Sequence, residues 1–316
     1  MSELLTIAIP TYNRAALLDK QLAWLAKAIK GFESECKILV SDNCSTDNTQ
    51  EIIQKWQNIL HEVSFANNKN SENIGVMRNV AYCIEAADTN FLWMIGDDDK
   101  VEDKAVPYVF QNLHEHPELS LLTLNFSCRY EPTNEILYER VFNIENEEVN
   151  PDGKAVFQRC LKENHSGIGF LTAQVYRTEI VQKAIRNWEP CLNNLEGQVY
   201  WVGYCAARGS VKISKETYVE SVFGLSYWMR EPKILLRMQY IDLPSIYAKL
   251  EEIGYPKKYC SDLILNHFRT NNWKVFFGSL RRWPLLTINT IIPYLNLVRA
   301  SVLQIIFPRQ TTENTL

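Results

Sequence analysis

Short apolar runs alternate with helix-length amphipathic stretches through roughly the first hundred residues, and this constrains the fold more than any other feature. Leu4–Pro10, Lys37–Ser41, Glu62–Ala66 and Phe91–Ile95 read as strands, the first stopping at Pro10, which has no N–H to offer a ladder. Between them, Ala15–Ile29 sets Leu18, Leu22, Leu25 and Ile29 at helical spacing. Asn48–Leu60 follows Asp47 as a second amphipathic helix, and Val76–Ala87 reads as a third. Strands alternating with helices of this length predict an α/β fold, a mainly parallel sheet with helices on both faces.

In such sheets ligands bind beyond the carboxyl ends of the strands. Here those ends are polar. They read Pro10-Thr11-Tyr12-Asn13-Arg14, then Ser41-Asp42-Asn43-Cys44-Ser45-Thr46-Asp47, then Asn73-Ile74-Gly75 with Arg78 beyond, and finally Gly96-Asp97-Asp98-Asp99. An acidic triplet alone is most often a solvated helix start, and Asp42-Asn43 alone is ordinary turn chemistry. Their joint occurrence at successive strand ends favours a ligand. Adjacent carboxylates repel unless a cation neutralises them, and Mg²⁺ or Mn²⁺ with substrate phosphates suits oxygen donors of this kind. No GxGxxG follows the first strand and no GxxxxGK[ST] occurs, which argues against a nicotinamide enzyme or a P-loop ATPase.

In order and spacing these segments resemble glycosyltransferase family 2 on the GT-A (nucleotide-diphospho-sugar transferase) fold, with its Rossmann-like sheet. Pro10–Arg14 resembles the family's P-x-Y-N opening, and Asp42–Asp47 its D-D/N-x-S-T-D turn. Asn73-Ile74-Gly75 is similar to its N-x-G, and Gly96–Asp99 stands in the place of its DxD motif. Within the family the chain looks most like abequosyltransferase-like enzymes of bacterial O-antigen and surface-polysaccharide assembly. The resemblance implies a nucleotide-diphosphate sugar donor held by Thr11, Tyr12, Asn13, Arg14, Asp42, Asn73, Gly75, Arg78 and Asp97. In that reading Asp42 accepts a base N–H beside Tyr12, Arg78 approaches the diphosphate and Asp97 binds the ribose. The metal falls to Asp98, or to Asp99 on a strict D-x-D alignment.

The same resemblance assigns residues 1–125 to a donor-binding half and 126–228 to an acceptor half, with a helical region over 229–316. A helix over Glu102–Asn112 and a strand over Leu119–Phe126 follow the triplet, and Tyr130–Asn150 reads as a loop or small hairpin. The resemblance makes His165–Thr172 a glycine-containing strand near the acceptor, leading through Val175–Arg177 to a helix at Glu179–Ile185. It also supplies Glu196 as the catalytic base, with Gly197 where the family often has a second acid and Glu189 as fallback. The competing reading of Glu196 is a carboxylate stabilised by a helix N-terminus. His165 and His267 are further candidates for the site, although a lone histidine is more often structural. The implied acceptor is a glycan or a polyprenyl-diphosphate-linked sugar. A sugar-phosphate nucleotidyltransferase is the enzyme alternative, but Pro10–Arg14 lacks the glycines such a loop needs. The non-enzyme alternative is an inactive carbohydrate-binding scaffold.

The charge is unevenly spread. The formal net charge is −4, yet residues 263–312 hold Arg269, Lys274, Arg281, Arg282, Arg299 and Arg309 and no acid. An acidic protein with a basic tail is a poor nucleic-acid binder, and the tail suits an anionic surface. Pro293, Arg299, Asn289 and Asn296 interrupt the apolar stretch Trp283–Phe307, which therefore reads as amphipathic rather than membrane-spanning, with Leu295, Val298, Val302 and Ile305 on one face. Residues 283–309 then lie on a membrane surface, or else pack on the protein or in a homodimer. The eight cysteines form no CxxC pair and read as reduced core thiols. With no basic, apolar leader at Met1–Leu5, the expected location is cytoplasmic, peripheral to the inner membrane face.

Overall fold

The computed structural model describes residues 3–224, 231–271 and 273–307, the side chains of residues 165 and 166 excepted. The chain divides into two compact units. One comprises Met1–Asn193 with Trp201–Gly224, the other Asn194–Tyr200 with Leu225–Leu316. Residues 194–200, assigned by sequence to the 126–228 half, thus group with the second unit.

The first unit begins with β1 (Leu5–Thr11), α1 (Ala15–Ala28), β2 (Cys36–Asp42), α2 (Thr49–Ile59), β3 (Ser64–Lys69), α3 (Val76–Ala86) and β4 (Phe91–Met94). It continues through β5 (Lys100–Val101), α4 (Ala105–Glu115), β6 (Leu121–Tyr130), β7 (Glu135–Tyr138), α5 (Gly153–Glu163), α6 (His165–Ile168), β8 (Gln174–Arg177) and α7 (Thr178–Asn187). After α8 (Gly197–Ala206), which starts in the second unit, β9 (Val211–Phe223) completes the sheet. The strand order is β3-β2-β1-β4-β8-β6-β9-β5, with β7 on β6. The first four strands are parallel, as the alternation predicts. β8, β7 and β5 add antiparallel pairings and make the whole sheet mixed.

The chain steps outward from β1 to β2 and β3, then returns to place β4 on the other side of β1. That reversal opens a crevice at the carboxyl ends of β1 and β4. Register levels the strand ends, pairing Thr11 with Asp42 and Asp42 with Lys69, while the Ile95 amide reaches Ala8 O at 2.9 Å. Ile7, Ala8 and Ile9 are all fully buried, which a strand covered on both faces requires. β3 is the edge strand, and its polar Ser64–Lys69 sequence shifts it from the expected Glu62–Ala66.

His165–Thr172 is not a strand. Asn164 caps a short helix, its Oδ1 accepting from Gly167 N at 3.0 Å, and a 3₁₀ turn over Leu171–Ala173 follows before β8 begins. Tyr130–Asn150 does contain a hairpin strand, β7.

The second unit is helical, with α9 (Pro232–Arg237), α10 (Leu243–Glu252), α11 (Lys257–Thr270), α12 (Trp273–Arg282) and α13 (Pro284–Ile306). Tyr240, Phe268, Trp273, Phe276 and Tyr294 pack together, Tyr240 and Trp273 tilted and the other pairs edge to face. α13 runs unbroken through Pro293 and is long and apolar enough to cross a membrane by length and composition alone. Its expected apolar face is split. Val298 is buried, whereas Leu295, Val302 and Ile305 are exposed.

Candidate active site

The strand ends of the first unit are laced together by their polar side chains. Thr11 Oγ1 donates to Asp97 Oδ2 at 2.6 Å, joining the ends of β1 and β4. Arg14 Nη1 bridges Asp97 Oδ1 at 2.9 Å and Asp98 Oδ2 at 2.7 Å. Asn13 takes a left-handed φ of 53°, which its short amide tolerates, and so accepts from the Thr46 amide while its own N–H meets Ser45 Oγ at 2.8 Å. Asp47 ties the two loops to their helices, accepting from the Ala15 amide at the start of α1 and from Thr49 at the start of α2. Tyr12 stays 41% exposed, leaving its ring face available to a planar ligand.

The three aspartates differ in burial and in role. Burial holds Asp97 above the ordinary carboxylate range, against the opposing pull of Thr11 and Arg14. Asp99 is pushed up to about 7, first by burial and then by the charges of Asp98 and Asp97, and it accepts the Thr172 hydroxyl. It folds back over the strand end because residue 96 is glycine, where a Cβ would meet the Asp99 carboxylate, with Cγ only 2.9 Å away. Asp98 alone turns outward, its side chain 49% exposed. Burial lowers the Arg14 guanidinium, but the charges of Asp97 and Asp98 outweigh it and the net shift is upward.

Asp42 ends β2 at the same level as Thr11. It is fully buried, Oδ1 accepting from Ser45 N at 2.8 Å and Oδ2 from Gln50 Nε2 at 2.6 Å. As folded, Asp42 closes the Asp42–Ser45 turn and holds the Gln50 amide. Around it runs an amide network. Asn43 Nδ2 donates to Asn73 Oδ1 at 2.9 Å, Asn70 Nδ2 donates to Asn43 Oδ1 and Asn79 Oδ1, and Gly75 N donates to Asn73 Oδ1. This network fixes the entry to α3, where Gly75 sits at φ 86°, ψ 157°, a region nearly closed to other residues. Gly75→Ala is expected to cost about 1–3 kcal/mol in urea unfolding. Arg78, one turn further on, is exposed, with Nε donating to Asn193 Oδ1 at 3.2 Å.

A hard divalent cation needs outward-facing oxygen donors. Among the described residues no group of three His, Cys, Asp or Glu side chains is disposed to hold a metal. Asp97 is engaged through both oxygens, Asp99 is turned to Thr172 and Asp98 meets Arg14 through Oδ2, so the carboxylate best able to hold a cation is the more exposed Asp98. His267 has another partner, its Nδ1 2.8 Å from Tyr294 Oη in the helical unit. The side chain of His165 lies outside the described residues. Glu189 is exposed on a short 3₁₀ turn.

Glu196 belongs to the second unit, immediately ahead of α8. Its pKa is raised to about 7, first by burial and then by the charge of Asp242. Asp242 is itself tethered, accepting from Arg237 Nε at 3.2 Å and Leu195 N at 3.3 Å.

The sequence profile of glycosyl transferase family 2 matches residues 6–184, more than half of the chain. The chain belongs to glycosyl transferase family 2. Abequosyltransferase RfbV of Salmonella typhimurium is 35% identical over 96 residues, 30% of this chain and 28% of that protein's length. The fold is of the GT-A type. TarS 1–349 of S. aureus, solved in complex with UDP-GlcNAc, superposes with a TM-score of 0.66 at 15% identity, covering 93% of this chain and 81% of that one. A mannosyltransferase, PcManGT of Pyrobaculum calidifontis, solved with GDP-Man and Mn²⁺, gives 0.54 at 12% identity over 98% and 89%.

Thr172 and Gln50 take direct hold of site aspartates and had no role in the sequence reading. Thr172 lies 73 residues from Asp99, and the β4–β8 pairing with the Trp93 and Gly96 hydrogen bonds to Thr172 brings them together. Gln50 sits 8 residues past Asp42 on the first turn of α2, a spacing that the helix start at Thr49 makes intelligible in retrospect.

Proposed function

We propose that the protein is an inverting, metal-dependent glycosyltransferase, moving a hexosyl or deoxyhexosyl group from a nucleotide-diphosphate sugar to a glycan or polyprenyl-diphosphate-linked acceptor. The setting is bacterial surface-polysaccharide or O-antigen synthesis on the cytoplasmic side of the membrane. The observation that carries this reading is the Thr11–Asp97–Arg14–Asp98 cluster at the crevice between β1 and β4. Its carboxylates and guanidinium are suited to a ribose and a diphosphate, and the ends of such strands are where a doubly wound sheet binds its ligand.

In the proposed reaction the acceptor hydroxyl oxygen bonds to the anomeric carbon from the face opposite the diphosphate. The carbon–oxygen bond to the β-phosphate breaks, and its electron pair leaves with the nucleoside diphosphate. Glu196 takes the acceptor's proton, and its pKa near 7 suits a base working at neutral pH. Tyr12 stacks on the base, Asp97 holds the ribose, and Arg14 and Arg78 meet the diphosphate with guanidinium donors. Asn13, Asn73 and Gly75 shape the loops that present them. Mn²⁺ or Mg²⁺ on Asp98, when bound, neutralises charge developing on the leaving diphosphate.

The test is a panel of nucleotide sugars with Mn²⁺ and a lipid-linked glycan fraction, read by release of nucleoside diphosphate. At least one donor is expected to turn over. Formation of a nucleotide sugar from a sugar phosphate and a nucleoside triphosphate would instead establish a nucleotidyltransferase, and no turnover with any donor would favour the scaffold.

A further inference from the structure

The outer face of α13 is aliphatic where a water-facing helix is polar. Leu285, Ile288, Ile292, Leu295, Val302 and Ile306 follow alternating three- and four-residue steps, broken once by Arg299, and all are exposed, Leu285 by 77% and Ile306 by 59%. The opposite stripe carries Thr287, Thr290, Tyr294 and Ser301, all buried. The small hydroxyls there are satisfied on the helix itself, Thr287 on Trp283 O at 2.9 Å, Thr290 on Leu286 O at 2.8 Å and Ser301 on Leu297 O at 2.9 Å. Tyr294 Oη meets His267 Nδ1 at 2.8 Å, and Gln304 Oε1 accepts from Ser261 Oγ at 3.2 Å. These contacts hold α13 lengthwise against α11, so its aliphatic stripe lies along the surface of the helical unit.

The neighbouring charges say what covers that stripe. On α12, Lys274, Phe277 and Arg281 share a face at i, i+3 and i+7, and Phe277 is 64% exposed. Lys274, Arg281 and Arg282 line, with Leu235 and Trp283, a groove of about 740 Å³ that opens beside the first turn of α13. Residues 263–312 hold six cations and no acid, a local charge of +6. A second copy docked on this same face would set cations against cations. An anionic lipid bilayer satisfies the aliphatic stripe and the cations together.

We infer that α12 and α13 dock flat on an anionic bilayer, the stripe entering the acyl boundary and the Lys274–Arg281–Arg282 groove receiving a lipid phosphate. This rests on the helical unit alone and stands apart from the catalytic reading. The test is flotation of the full chain with phosphatidylcholine vesicles, with and without phosphatidylglycerol. Binding is expected only to the anionic vesicles and is expected to weaken with salt. Joint replacement of Lys274, Arg281 and Arg282 by Ala should weaken it about a hundredfold, each cation contributing about a factor of five. The combined Leu285→Ser, Ile292→Ser and Ile306→Ser variant, with all three changes on the exposed face, should also lose binding while melting as a cooperative fold. Equal binding by the parent and both variants, no flotation of the parent, or a concentration-dependent dimer abolished by the serine changes would overturn the inference.

Discussion

In the Glu196→Gln variant, transfer to the acceptor falls by about 10²–10⁴-fold while donor affinity is unchanged, the expected loss when a positioned base is removed. The parent should show the matching pH dependence. Glu196 is pushed up to about 7, chiefly by burial, and must be ionised to accept a proton. The acid limb of kcat/KM is therefore expected to rise about tenfold per pH unit up to about pH 7 and then level off. In the Gln variant that limb disappears. The same substitution should raise thermal stability above pH 7. There the parent's ionised carboxylate occupies a site that disfavours charge, a penalty absent at low pH where the group is protonated. A Gln variant with full activity would remove Glu196 from the reaction.

The second large effect concerns Asp98. Treatment with EDTA should abolish turnover and Mn²⁺ or Mg²⁺ should restore it. Asp98→Asn should lower kcat by about a thousandfold, the several kcal/mol a metal contributes against a leaving diphosphate. Asp99→Asn is expected to behave differently. Asp99 faces Thr172 and the folded strand end rather than the crevice, so its loss should lower the unfolding midpoint more than it lowers metal affinity. Mn²⁺ titration by electron paramagnetic resonance in the presence of nucleoside diphosphate separates the two. Equal loss of Mn²⁺ affinity in both variants would make them joint ligands.

The parallel strands were legible because a sheet covered on both faces demands unbroken apolar runs, and Leu5–Ile9, Ile38–Val40 and Phe91–Met94 supply them. β3 was placed two residues early because an edge strand escapes that demand and is free to read Ser-Phe-Ala-Asn-Asn-Lys. The strand expected at His165–Thr172 gave way to local capping, as Asn164 offers a side-chain acceptor to Gly167 N. At the site, the identity of the polar residues was readable and their pairing was not. The periodicity of a strand says that Asp97, Asp98 and Asp99 end it. It does not say that Arg14 bridges the first two, or that Thr172 takes the third. On α13 the apolar face was legible in Leu295, Val302 and Ile305, which are exposed, while Val298 turned inward with a hydroxyl-rich stripe whose hydroxyls bond to the helix's own carbonyls.

The central claim is that a nucleoside diphosphate binds at the carboxyl ends of β1 and β4. Calorimetric titration of the full chain with UDP, GDP, CDP and TDP in the presence of Mn²⁺ tests it most directly. One of them is predicted to bind at a single site, to lose most of that affinity in Asp97→Asn and Arg14→Ala, and to need the metal. Binding of none of the four, or binding indifferent to both substitutions, would contradict it.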